Sequence, residues 1–80
     1  MTNVTYEILE EPCFSEGMAY TSYGIAAYAR SDLGEAPALI ALVKDITPDG
    51  KALLELVKKC NLLKLSPLHL KDVVEDFLIG

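Results

Sequence analysis

The chain has no tryptophan, one histidine, two cysteines and no surplus of positive charge in its 80 residues. Each shortage removes a class of protein. One imidazole and two distant thiols, Cys13 and Cys60, cannot supply the Cys/His sets of a structural zinc site, and no CxxC pair exists. The same two residues do not make a disulfide framework, and Cys60 is expected to serve as a small core hydrophobe. Seven bases against twelve acids leave a net charge of −5 and a pI near 4.6. Such a chain repels phosphate backbones, so no nucleic-acid partner is expected. No apolar run approaches the roughly 18 residues of a membrane span, so no membrane association is expected. Met1–Glu11 has neither the basic start nor the apolar centre of a secretory signal, which points to a cytoplasmic protein. A Gly-rich phosphate loop, HExxH, GxSxG and a paired-carboxylate pocket are all missing. Asp45, Asp49 and Gly50 lack the remaining ligands of a calcium loop and read as a strand end and helix cap. No catalytic residue, metal or cofactor is expected.

What is present is apolar. Hydrophobic residues make up 51% of the chain and the mean hydropathy is +0.27, high for 8.7 kDa. A chain of this size buries only about 62% of its extended surface on folding, which sets the expectation of one domain over 1–80 without a deep cavity. Charge is uneven: residues 1–35 hold six acids and one base, whereas 36–80 hold six acids and six lysines.

Two regimes meet near Thr47-Pro48. Residues 1–47 read as a β-meander. Val4, Tyr6 and Ile8 alternate with polar neighbours over about Asn3–Glu10, and a turn is expected at Cys13–Gly17. Met18–Arg30 forms a second strand; fully extended it would reach about 43 Å, so Gly24 is the natural place for a bend or bulge. A loop at Ser31–Pro37 precedes a third strand, Ala38–Ile46. Connections this short require antiparallel pairing. Residues 48–80 read as a helical hairpin. Thr47-Pro48-Asp49 resembles a capped helix start, with Thr47 at the N-cap. The stripe Leu53, Leu56, Val57, Cys60, Leu63 then follows, and Asn61 is a plausible left-handed terminator. Ser66-Pro67 starts a second helix with the stripe Leu70, Val73, Val74, Phe77, Leu78. The expected fold is therefore α+β: a three-stranded antiparallel β-meander followed by an antiparallel pair of helices packed on one face (β-β-β-α-α).

The strands carry too much apolar surface for that arrangement. Leu39, Ala41 and Val43 are expected on one side of the third strand, with Ala38, Ile40, Leu42 and Ile46 on the other. Strands apolar on both faces are normally covered on both faces, and two helices cover one. Self-association through the open face or a free edge resolves the conflict; the plainer alternative is that small Ala and amphipathic Tyr residues sit in water at little cost. The contributing residues are Tyr20, Tyr23, Tyr28, Ile40 and Leu42, which could equally line a pocket for a small molecule. A polar surface is expected on the second helix, where His69, Asp72, Glu75 and Asp76 lie outside the stripe. His69, Asp72 and Asp76 fall at i, i+3 and i+7, yet a solvated face accounts for them without a metal. Cys60 has Lys58, Lys59 and Lys64 nearby, but its apolar stripe and helix C-terminus both disfavour a thiolate.

The segments Tyr23-Gly24-Ile25, Asp45-Ile46-Thr47, Cys60-Asn61, Leu65-Ser66 and His69-Leu70-x-Asp72-Val73-Val74-Glu75-Asp76-Phe77-Leu78 resemble a family of short uncharacterised bacterial proteins, a domain of unknown function. The resemblance implies a bacterial cytosolic protein and transfers no functional residue. The expected function is thus a non-enzymatic, self-associating protein-interaction module that can also dock a protein partner; the alternative is a small-molecule binding or sensing domain.

Overall fold

A computed structural model describes residues 2–31, 33–34 and 36–80. Met1, Asp32 and Glu35 lie outside the described residues, and with them parts of the N-terminal stretch and of the loop expected at Ser31–Pro37. Among the described residues the chain forms strands β1 (Thr2–Ser15), β2 (Met18–Ser31) and β3 (Ala38–Thr47), then helix α1 (Gly50–Leu62). A 3₁₀ turn (Pro67–His69) leads into helix α2 (Leu70–Ile79). The sheet is antiparallel in the order β1-β2-β3, and both helices contribute to one core on one of its faces. This is the α+β, β-β-β-α-α arrangement that the change of period implies.

β1 and β2 run longer than the sequence suggests. Cys13, Phe14 and Ser15 belong to β1, and the turn shrinks to Glu16-Gly17, both with positive φ (52° and 78°). Two consecutive positive φ values make the type I′ turn, whose twist matches that of the flanking strands. The second strand is not folded back by a sharp bend; the molecule is elongated instead, 47 Å in its longest dimension. The β1–β2 ladder continues to Ser15 and Met18, whereas β2 pairs with β3 only from Tyr23 to Ala29. The hairpin therefore overhangs its own third strand.

Two irregularities in the β2–β3 register set the faces. The first lies at Gly24, between Tyr23 and Ile25. A Cβ on Gly24 would collide with the Val43 carbonyl and with Lys44 Cα, so only glycine admits so close an approach of β3. Asp45 opposite has φ of 52° and accepts a hydrogen bond from the buried Ser22 hydroxyl at 2.5 Å. Past this point Ile46 turns into the core. The second irregularity, between Ala27 and Tyr28, places an extra residue at Ile40. It corrects the alternation expected for β3: Ala41 and Val43 pack on the core, while Leu39 pairs with Tyr28 and Leu42 with Ala26, both on the opposite face. Strict alternation misassigns Leu39 because a bulge inserts one residue.

Tyr6, Ile25, Ala27 and Ile46 from the sheet meet Leu53, Val57 and Cys60 of α1 and Leu70 and Val74 of α2. Leu63 and Leu78, the last members of their expected stripes, are exposed, as each lies where its helix ends. Asp49, not Thr47, is the N-cap of α1: its carboxylate accepts from Ala52 N at 3.1 Å, while Thr47 Oγ1 accepts from Asp49 N. Gly50 opens the first turn because the Tyr23 ring lies against it; a Cβ would come within 2.6 Å of that ring.

Candidate functional site

The two edges of the sheet are built differently. At the β1 edge, Asn61 is not a left-handed terminator; Lys64 takes that conformation (φ 51°). Asn61 lies in the last turn of α1, and its amide pairs with the backbone of Tyr6. Tyr6 N donates to Asn61 Oδ1 at 2.8 Å, and Asn61 Nδ2 donates to Tyr6 O at 2.9 Å. The side-chain amide thus supplies the donor and acceptor that a neighbouring strand would supply. The Tyr6 ring lies beneath in the core, with its hydroxyl donating to Leu65 O at 2.6 Å. Burial pushes the Tyr6 phenol and the Cys60 thiol above their ordinary pKa values. Further along the same edge Pro12 has no N–H to offer.

The open face of the sheet carries Tyr20, Tyr28, Leu39 and Leu42. Leu39 is 53% exposed, and Tyr20 and Leu42 are each 41% exposed. Ile40, at the bulge, is also exposed. Tyr23 does not share this face: two-residue alternation places it with Ile25 and Ala27 on the helix side, packed against the core. At the overhanging tip Phe14 and Met18 are 74% and 71% exposed. A shallow depression of ≈ 250 Å³ on this face is lined by Thr5, Glu7, Tyr28, Arg30 and Pro37. Near the tip, the Asp45 carboxylate holds the Tyr20 phenol above its usual range, with Cys13 adding to the effect.

On α2, Asp72, Glu75 and Asp76 are exposed, as is His69 at the end of the 3₁₀ turn. Among the described residues no three His, Cys, Asp or Glu side chains are grouped to hold a metal ion. The chemistry of an activated nucleophile does not come together either. The Ser22–Asp45 pair has no imidazole beside it, since His69 belongs to the helical layer. Cys60 is buried with its thiol kept neutral, and Cys13 is half-buried on β1. The Ser22–Asp45 bond ties the left-handed residue of β3 to β2, which is a structural task. Asn61 is the polar residue that sequence reasoning missed. An asparagine near a helix end signals termination, and nothing local marks a partner 55 residues away.

A small two-layer α+β protein with an uncovered sheet face is the class these features define. The chain belongs to the family of unknown function DUF6514, whose model matches residues 1–80. No match was found among characterised proteins or solved structures. Among the described residues no helix is long and apolar enough to cross a membrane.

Proposed function

We infer that the protein is a non-enzymatic interaction module of the bacterial cytoplasm, whose first partner is a second copy of itself. The observation that carries this reading is the amount of surface left exposed. The chain exposes 5790 Å², against the roughly 4,700 Å² typical of a monomer of its mass. The surplus of about 1,100 Å² exceeds the roughly 800 Å² that each partner contributes to a standard interface. Exposed apolar side chains on the open face and hairpin tip include Leu39, Leu42, Tyr20, Phe14 and Met18. Exposed apolar surface of this kind, rimmed here by Glu7, Glu11 and Lys44, is the mark of a protein-contact site. Size-exclusion chromatography with light scattering tests it: the expected mass is a multiple of 8.7 kDa. A single-chain mass throughout the micromolar range would remove the reading.

The depression beside Tyr28 supports a second reading, a small-molecule site in which Arg30 and Glu7 orient a polar ligand. Its ≈ 250 Å³ falls below the roughly 300–1,000 Å³ of ordinary ligand pockets, and it has one tyrosine rather than a tyrosine lining. A thermal-shift screen of metabolites checks it; a stabilising ligand whose effect disappears in Arg30→Ala would favour this reading.

A further inference from the structure

We propose that the second copy docks edge to edge on β3, giving a closed two-fold dimer with a continuous six-stranded antiparallel sheet. The inference rests on the self-association reading above and adds the site and the stoichiometry. The contrast between the two edges carries it. The β1 edge is occupied by the Asn61 amide at Tyr6, lacks a donor at Pro12, and is flanked by Glu7, Glu10 and Glu11. The β3 edge has none of these devices. From Ala38 to Val43 it holds no charge and no proline. Among the described residues, no side chain and no loop backbone hydrogen-bonds to this stretch.

Backbone alternation shows which groups are free. Tyr6 turns its N–H and C=O away from β2 toward Asn61. Those of Ala27, its partner, therefore turn to β3, and those of Ala41, the partner of Ala27, turn to β2. One residue on, Leu42 directs its N–H and C=O to the outer edge. A free neutral strand edge of this kind is a template for another strand. Two copies of one strand meeting about a two-fold axis must run antiparallel, and each residue then faces its own copy or a near neighbour. A charged segment would repel itself there, whereas Ala-Leu-Ile-Ala-Leu-Val is complementary to itself. Since the β1 edge is interrupted at Tyr6 and Pro12 and flanked by glutamates, each chain offers one unbroken neutral edge, and pairing ends at two copies instead of growing into a fibre. The axis stands perpendicular to the sheet, so all four helices fall on one side. The two open faces merge on the other, bringing Leu39 and Leu42 beside their copies.

The experiment uses the whole chain, with light scattering and amide hydrogen exchange followed by NMR at high and low concentration. The expected result is a mass of two chains, with the Leu42 amide protected at least about tenfold more in the dimer than after dilution. Leu42→Pro, which removes that outward N–H, is expected to raise the dimer dissociation constant at least about tenfold. Tyr28→Lys, on the open face away from the edge, is expected to alter it less. A dimer whose Leu42 amide exchanges freely, and which Tyr28→Lys dissolves, is a face-to-face dimer: the edge assignment is then overturned while self-association stands. A single-chain mass overturns both. Should Leu42→Pro fail to fold, protection of the wild-type Leu42 amide decides the matter alone.

Discussion

β1 and β3 are the two outer strands of one sheet, and the chain treats them in opposite ways. β1 spends a helix-borne asparagine, a proline and three glutamates along its length. β3 presents a neutral run of six residues whose outer side is bare among the described residues. The difference teaches that side chains, not strand order, protect an edge here, since topology leaves both outer strands equally free.

The strongest way to break the comparison is Asn61→Leu. The substitution keeps the side-chain size but strands the Tyr6 N–H and C=O, each costing about 1–3 kcal/mol when part-buried, so a loss of about 2–4 kcal/mol is expected in urea denaturation. It also opens the β1 edge, and higher assemblies should appear by light scattering at concentrations where the wild type stops at its native mass.

Gly24→Ala strikes the β3 side. Its methyl group drives into the Val43 carbonyl, and β3 must move away from β2 at the bulge. A loss of about 1–3 kcal/mol is expected by thermal denaturation, with β2–β3 amides losing protection and β1–β2 amides keeping theirs.

Tyr6→Phe removes the hydrogen bond to Leu65 O and is expected to cost about 1 kcal/mol at neutral pH. It also carries a pH signature. A free cysteine loses its proton near 9.0 and a free tyrosine near 10.0, and burial raises both Cys60 and Tyr6 above those values in the folded chain. The unfolded chain therefore loses these protons first. The contribution of these two groups to stability is level below about pH 9 and falls above it, as linkage requires wherever the unfolded state binds fewer protons than the native one. Urea midpoints from pH 7 to pH 11 should show that fall, and Tyr6→Phe should flatten its upper part; an unchanged slope would remove Tyr6 from the account.

The smallest effect on stability is expected at the polar face of α2. Asp72→Lys with Asp76→Lys changes exposed side chains and should stay within about 0.5 kcal/mol of the wild type. If a basic partner protein docks on this helix, the double reversal should abolish salt-sensitive capture by that partner and leave the self-association mass unchanged. Loss of self-association would instead place α2 in the dimer seam and undo the contrast between the edges.

Much of the fold can be read residue by residue. The switch from a period of two to one of 3.6 at Thr47-Pro48 locates the boundary between sheet and helices, and Gly24 marks an irregularity in the β2–β3 register. The buried residues Leu53, Val57, Cys60, Leu70 and Val74 all lie on the expected stripes. Leu39 is misplaced because a bulge at Ile40 inserts one residue into its own strand, and Tyr23 because alternation along β2 sets it on the helix side, with its ring against Gly50. Asn61 is misread because its ligand is a backbone group on β1.

By itself the sequence determined the element types, their order and the excess of apolar strand surface, because periodicity and turn chemistry act over a few neighbouring residues. Only the tertiary structure decided which edge is closed and which stays open. That choice hangs on a contact between residues far apart in the chain, Asn61 with Tyr6. No local pattern encodes a hydrogen bond to another segment's backbone, and there the difference between an occupied edge and a bare one arises.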